Sequence, residues 1–525
     1  MDVRLSDLQE QRRVKAEQFR AEGLEPYPTR AKRTHTTAEA IALFTATEGP
    51  DGHSTTHEIV TLAGRVVSRR HMGKTLFAHI RDGHGQIQLY IRKDDLGDGA
   101  YEQALKLFDL GDWVQATGEL FRTKTGEVSL RVSELVMLSK ALNAPPEKWH
   151  GLQDVEIRYR QRYADLIANA DVREVFEKRS RIVSAIRHFL DSHGYLEVET
   201  PVLQPLYGGA AARPFTTHHN ALDQTFYLRI ADELYLKRMI VGGYERVYEI
   251  AKDFRNEGID RNHSPEFTML EFYEAFADYE VIMDRVENLI ISVVQEAFGT
   301  TVVRSGGKEI DVAAQRPWPR KTLRQAIKDA SGIDYVEYPT AEALIAVARE
   351  KGADIETGMV WPRVVDELLK QFVRPYIVEP TFLINYPVEL SPLAKRIPGD
   401  PTHVERFQLY IGGHELANAF TELNDPMDQL ERFLEQVKDR AAGDLDAMPF
   451  DADFINALMY GMPPTGGVGI GIDRLTMFLT DQHTLRDVIL FPAMRNLPAN
   501  AGPISFGLSE ELAEDIEELE EVNEE

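Results

Sequence analysis

The residues best suited to chemistry in this 525-residue chain lie in 254–273, FRNEGIDRNHSPEFTMLEFY. Two strand-like runs bracket the segment, RVYEIAKDFRNE (246–257) and EFTMLEFY (266–273). Residues two apart on a strand share a face. On that spacing Glu249, Arg255 and Glu257 point one way, and Phe267, Met269, Glu271 and Tyr273 line the partner strand. Phe254, Leu270 and Phe272 make an apolar reverse face. A sheet that turns carboxylates, an arginine and two aromatics inward lines a ligand pocket. The carboxylates would hold cations and the guanidinium an anion, while a ring such as Phe267 either stacks on a flat ligand or packs as core.

Three further segments carry unusual polarity. In ADELYLK (231–237), Glu233 stands at a helix start, where a carboxylate also favours the helix dipole by about 0.3–1 kcal/mol. In FQLYIGGHELANAFTE (407–422), two strand-like runs flank Glu415, and Asn418, Phe420 and Glu422 share a face by parity. In GGVGIGIDR (466–474), glycines at alternate positions run into a helix that opens with an arginine. Such glycines let a nucleotide approach closely or serve strand packing. The acids Glu233, Glu271 and Glu422 could form a structural network or hold cations, and buried carboxylates without cations are costly.

The elements that must position these residues fall into two groups. Residues 1–27 read as a polar helix that stops near Gly23, Pro26 and Pro28. From 57 to 139 short β-rich runs dominate, separated by turn signals such as Asp82-Gly83 and Thr125-Gly126. One helical run, Tyr101 to Phe108, falls between the third and fourth strands, the pattern of a small Greek-key barrel of the OB type. A polar, Pro-containing linker (Asn143 to Gly151) leads to a long helix, Val172 to His193. Its Phe176, Ile182, Val183, Ile186, Phe189 and Leu190 form one apolar stripe. A strand, Tyr195 to Val198, runs into Pro201. The rest, to about 496, mixes strands and helices without a βαβ rhythm, predicting an α+β fold on an antiparallel sheet.

Composition narrows the function. A net charge of −26 argues against a general basic nucleic-acid binder, so no DNA partner is expected. Any nucleic-acid contact must be a local patch, with Arg12, Arg13 and Lys15, then Arg30, Lys32 and Arg33, then Arg69 and Arg70 as candidates beside the alternative of solvated faces. The absence of cysteine excludes disulfides, thiolate metal sites and a cysteine nucleophile. The charged first twenty residues are unlike a signal peptide, and no run is apolar enough for a membrane span. A cytoplasmic protein with no membrane partner is the expectation.

Taken together and in order, the segments from about 5 to 496 resemble a class II lysyl-tRNA synthetase of the bacterial type. The helix and strand ending at Pro201 look like the first motif of that class, which builds the dimer interface. FRNEG…HSPEFTMLEFY looks like the second and GIGIDR like the third. GGAAARPFTTHHNALD (208–223), YLRIADELYLKRMIVGGYERVYEI, ELANAFTELNDP and RDVILFPAMR are similar to this family in particular.

The resemblance implies an ATP-dependent ligase of protein biosynthesis that charges lysine tRNA, a homodimer using magnesium. It implies four regions: an N-terminal helical extension (1–56), an OB-fold anticodon-binding domain (57–145), a class II catalytic domain (146–497) and an acidic tail (498–525). Arg255 would bridge the lysine carboxylate and the α-phosphate of ATP, and Arg474 would brace the distal phosphates and the adenine. Phe267 would stack on the adenine, with Glu257, His263 and Met269 also at the nucleotide. Glu422 and Tyr273 would take the ε-ammonium of L-lysine, and Glu233, Glu271 and Gly209 the α-ammonium. Asn418 would help the carboxylate, with Phe420 beside it. In the barrel, Arg70, Phe77 and Gln88 fall where the family reads the anticodon.

Two positions depart from the pattern. The family has two magnesium-binding acids seven residues apart. Here the second is Glu415 and the first position is Gln408, whose amide oxygen brings no charge to a hard cation. Ser264 stands where the family commonly has Asn. Residues 510–525 hold ten acidic side chains, and Leu508, Leu512, Ile516 and Leu519 could line a helix within an otherwise solubilising tail. Two rivals remain: a paralogue that transfers lysine to a protein, and a non-catalytic binder of lysine or nucleotide.

Overall fold

The computed structural model describes residues 5–146, 152–441 and 446–495. Its two compact units meet in sequence at Leu152 and Gln153. The acidic tail and the end of the linker lie outside the described residues.

In the first unit, helix α1 (Asp7–Ala21) opens on a reciprocal cap between Ser6 and Gln9 and stops before Gly23, whose φ is +77°. Helix α2 (Thr37–Thr47) is not among the expected elements. It too opens on a capping box, Thr36 with Glu39, and buries Ala40 and Phe44 completely. Five strands follow: β1 (Ile59–Met72), β2 (Thr75–Arg81), β3 (Gln86–Arg92), β4 (Trp113–Arg122) and β5 (Val128–Ser139). They close into a barrel of order β1-β2-β3-β5-β4, with helix α3 (Asp98–Lys106) between β3 and β4. Inward residues alternate along each strand: Leu76, Ala78 and Ile80 on β2, then Ile87, Leu89 and Ile91 on β3. Full burial of such a side chain contributes about 1.5–3 kcal/mol. Phe19, Ala40 and Phe44 join this same core, so the residues before 57 pack as part of the barrel unit. Four of the eight basic candidates are engaged within this unit. Arg12 is buried and donates to the carbonyls of Leu110, Ala141 and Asn143. Arg13 pairs with Glu10 and Glu17, Lys15 with Asp109, and Arg69 caps the carbonyls of Leu105 and Phe108.

The second unit is built on eight strands. Helix α4 (Ala170–Ser192) leads to β6 (Leu196–Glu197). Helix α5 (Glu233–Val241) precedes the hairpin of β7 (Arg246–Phe254) and β8 (Glu266–Ala275), and helix α6 (Tyr279–Phe298) follows it. Then come β9 (Arg320–Thr322), β10 (Thr381–Pro387), β11 (His403–Ile411), β12 (His414–Thr421) and β13 (Thr465–Gly471), which runs into helix α7 (Ile472–Leu479). The sheet order is β9-β10-β11-β12-β13-β8-β7-β6. The six central strands are antiparallel, while β9 and β6 add parallel at the edges. Those edge strands, three and two residues long, are too short to show a periodicity, and they account for the difference from the six or seven strands expected.

One face of this sheet is the core. Ile182, Ile186 and Leu190 of α4 and Ile282, Val286 and Ile290 of α6 pack on Leu270, Phe272, Phe407, Leu409, Val468 and Ile470. The predicted stripe of α4 is therefore the buried one. Its Phe176 is only partly buried and carries the guanidinium of Arg162 at 5.4 Å. The opposite face, along β8, β11, β12 and β13, floors a cleft.

Candidate active site

The cleft has a volume of about 1110 Å³ and a closed, acidic end. Glu233, the first residue of α5, Glu271 and Tyr273 of β8, and Glu422 just past β12 meet there, all buried. The Tyr273 hydroxyl donates to Glu271 Oε2 at 3.1 Å. Burial first, then the charges of Asp253 and Glu233, push the Glu271 carboxyl well above the usual carboxylate range, against the pull of Tyr273. Burial likewise lifts Glu422, to about 8, although the ammonium of Lys237 draws it down. Lys237 is itself fully buried. Its Nζ donates to Glu233 Oε1 at 2.6 Å and ion-pairs with Glu422. Glu422 Oε1 has no hydrogen-bond partner among the described residues.

Behind Glu271 a second group of acids shares Arg229, which reaches Glu249 at 2.7 Å, Asp232 at 3.0 Å and Asp253 at 3.5 Å. Glu249 therefore does not line the cleft as its parity predicts. It faces the correct side of β7, opposite Glu271, but lies beneath the floor on Arg229. The chain thus supplies part of the cationic charge that the sequence assigns wholly to a ligand.

Two glycines shape this end. Gly209 has φ +88°, and a Cβ there would come within 3.0 Å of the Ala231 side chain and 3.1 Å of Glu233 Cβ. A Cβ on Gly467 would overlap Glu422 Oε1 and the Tyr273 ring, whereas Gly469 and Gly471 have ordinary room. Of the alternate glycines on β13, Gly467 is demanded by the acidic floor.

The open end is cationic and aromatic. β7 stops at Phe254, so Arg255 and Glu257 leave the strand and enter the loop, from which both reach the cleft. The Arg255 guanidinium lies 5.0 Å from the Phe267 ring centre, and its buried Nε has no hydrogen-bond partner among the described residues. His263 is exposed on the same loop, its ring nitrogen 2.8 Å from Asp260 Oδ2 and its backbone N–H donating to Asp260 Oδ1. Met269 lies between the two ends on β8. Arg474 is the third residue of α7, where a cation opposes the helix dipole, so its position is not owed to helix stability. Asp473 beside it is buried. It accepts the Thr268 N–H at 2.7 Å and pairs with Arg179 of α4 at 2.6 Å.

In the barrel unit, Arg70 of β1 stands opposite Phe77 of β2 and is exposed. Phe77 is half-buried on the outer face, 5.3 Å from the Tyr90 ring, which in turn lies 5.4 Å from Phe121. Gln88 is tied by its amide to Glu127 at 2.9 Å and by its carbonyl to Ser129 at 3.0 Å. Tyr90 and Phe121 extend Phe77 into an aromatic row, which the alternation of β3 and β4 places outward.

A family model described as tRNA synthetases class II (D, K and N) matches residues 154–495. The chain belongs to this family. A model described as OB-fold nucleic acid binding domain matches 60–138 of this synthetase. Among its relatives, a protein of Chloroflexus aurantiacus named lysine--tRNA ligase is 56% identical over 94% of this chain and 99% of the relative. Proteins of the same name from Roseiflexus castenholzii and Pelotomaculum thermopropionicum are 53% and 52% identical over 94% of this chain, covering 99% and 95% of their own lengths.

On this synthetase's sheet, Gln408 and Glu415 sit on the two neighbouring strands of one hairpin, β11 and β12. The turn is made by Gly412 and Gly413, both at positive φ, so Glu415 lies within β12 and not between two strands. The Gln408 carbonyl oxygen accepts hydroxyls from Tyr386 and Tyr410, each at 2.8 Å. Both lone pairs of that oxygen are engaged by these two hydroxyls. The donor set fits a cation held by one carboxylate, Glu415, and not by a pair.

Asn418 and Phe420 line the cleft beside Arg406, a residue the sequence reading does not single out. Arg406 donates to Asn418 Oδ1 at 2.9 Å and to Ser391 Oγ at 2.9 Å, and lies 4.6 Å from the Tyr386 ring centre and 5.5 Å from that of Phe420. Its place two residues before Gln408 on β11 is the signal that would have found it. The helix spacing of Glu233 and Lys237, four residues apart, would have found Lys237.

Proposed function

We propose that this synthetase activates L-lysine with ATP and passes the lysyl group to the 3′ end of lysine tRNA. The observation that carries the reading is the polarity of the cleft: buried carboxylates at the closed end, arginines and an aromatic ring at the open end. An enzyme for aspartate or asparagine would need basic or amide groups in place of Glu233, Glu271 and Glu422.

Lysine enters with its ε-ammonium toward Glu422 and Tyr273 and its α-ammonium toward Glu233, Glu271 and the Gly209 backbone. Asn418, held by Arg406, steadies the carboxylate. That carboxylate must approach the α-phosphate of ATP, and two anions repel. Arg255 lies between them and neutralises both, while Arg474 braces the distal phosphates and Phe267 carries the adenine. Bond making needs no group covalently attached to the enzyme: the lysine oxygen attacks phosphorus and pyrophosphate leaves. Positioning and charge neutralisation supply the rate. Glu257, His263 and Met269 complete the nucleotide end. Magnesium, held by Glu415 together with ATP oxygens, would neutralise phosphate charge. The terminal ribose hydroxyl of the tRNA then attacks the lysyl carbonyl and releases AMP.

On the barrel, Phe77 with Tyr90 and Phe121 offers a stacking surface for unpaired bases, with Arg70 and Gln88 at its edge. Stacking of this kind is worth about 1–3 kcal/mol per base. A homodimer through the segment around Pro201 is supported by the exposed Leu196, Val202 and Leu203. A cysteine-free chain suits a reducing cytoplasm.

The test is lysine-dependent exchange of pyrophosphate into ATP, followed by charging of lysine tRNA. Exchange with lysine alone among the amino acids, and charging that falls in F77A while exchange does not, are the expected results. Absence of exchange at every magnesium concentration would replace the reading with that of a binding protein.

A further inference from the structure

Resting on the lysine reading of the cleft, we propose that Lys237 is a resident counter-cation that sets the charge and geometry of the amino-acid pocket. It is a positioning residue: it lies outside the cleft lining and acts through Glu233 and Glu422.

Three carboxylates reach the closed end, Glu233, Glu271 and Glu422, and one ammonium answers them from within the chain. With all three acids ionised, two negative charges remain, the complement of a ligand with two ammonium groups. Without Lys237 the same ligand would leave an uncompensated buried negative charge, which protonation of an acid would remove. The pocket would then lose one of the acceptors that hold the ligand.

The geometry is specific to this role. Glu233 opens α5 and Glu422 follows β12, and Lys237, one turn along α5 from Glu233, is their common partner. Its Nζ is fully buried, so it serves neither solubility nor an outside partner. Its neighbours Leu234 and Leu236 pack in the apolar cluster beneath the pocket, where an aliphatic side chain at 237 would be the inexpensive choice. Engaged by Lys237 at Oε2, Glu422 has no hydrogen-bond partner at Oε1 among the described residues. The charged and titratable groups facing this pair are Glu233 on the same helix, Glu271 and Tyr273 on β8, and, one layer further, Asp232 and Asp253 with Arg229. Burial raises Glu422, and Lys237 is the group that restrains it.

The experiment is pyrophosphate exchange with the full-length K237M variant, measuring lysine and ATP KM from about pH 6.5 to about pH 9 together with Tm. Lysine KM should rise about tenfold relative to wild type at the acid end, the effect of a one-unit upward shift of Glu422. The ratio should shrink toward the alkaline end, where Glu422 ionises unaided, and ATP KM should stay within about twofold. K237Q, which keeps a donor for Glu233, serves if K237M does not fold. A lysine KM ratio that is flat with pH, at one or at any other value, overturns the proposal, since a merely structural loss has no reason to follow the ionisation of Glu422. Wild type that shows no lysine-dependent exchange would instead overturn the lysine reading itself.

Discussion

At the closed end of the cleft the acids are buried and much of their charge is met by Lys237 and Arg229. At the open end Arg255 holds a buried Nε with no hydrogen-bond partner among the described residues, and Arg474 stands against its own helix dipole. The first arrangement is preset: it measures a small ligand by charge count and depth. The second is poised: it spends little on itself and keeps donors for phosphate groups that arrive and leave. Fixed, compensated charge suits discrimination, and unspent charge suits a reaction in which negative charge moves.

The sharpest way to break this contrast is at the open end. R255A should lower lysine-dependent exchange by roughly 10²–10³-fold, the loss typical of one transition-state donor. A loss below about tenfold would mean that Arg255 binds ground state and transition state alike. Next comes G467A at the closed end. Its Cβ would overlap Glu422 and Tyr273, and overpacking costs about 1–3 kcal/mol, so lysine KM should rise about 10- to 100-fold with ATP KM unmoved. Equal changes in both constants would erase the distinction between the ends.

A smaller effect lies in stability. Glu422 and Glu271 titrate above their unfolded values, so the folded chain holds more protons than the unfolded one. The stabilisation this gives is complete below the ordinary carboxylate range and is lost as pH rises through about 8. Between about pH 6 and pH 9, Tm should fall by on the order of a few degrees. Saturating lysine should recover the fall, and E422Q should flatten it. A Tm that rises over this range would contradict the sign. The smallest expected change is Q408E, which places a second carboxylate near Glu415 and should lower the magnesium concentration for half-maximal exchange by about threefold. An unchanged magnesium dependence would show that the two tyrosines, and not the missing charge, define that position.

Much of this contrast was legible in the sequence because it rests on strand parity. Phe267, Met269, Glu271 and Tyr273 alternate with the buried Leu270 and Phe272, and Asn418, Phe420 and Glu422 follow the same rule across the sheet. The barrel was legible from its short β-rich runs, their turn signals and the one helical run between the third and fourth strands. What parity does not tell is depth: Glu249 and Glu271 are directly opposed, yet one lies on Arg229 and the other in the cleft. Nor does it show that the Gln408 oxygen is occupied, since Tyr386 reaches it from another strand. Helix α2 was written in its Thr36–Glu39 capping box but escaped because its buried face is only Thr37, Ala40 and Phe44.

One carboxylate ties both halves of the nucleotide end to the rest of the sheet. Asp473 fixes the entry of β8 through Thr268, holds Arg179 on α4, and precedes Arg474 directly. The strand that presents Phe267 and the helix that presents Arg474 therefore hang from a single peg. Neither can be retuned alone, and any inherited change at that peg would misplace ring and guanidinium together.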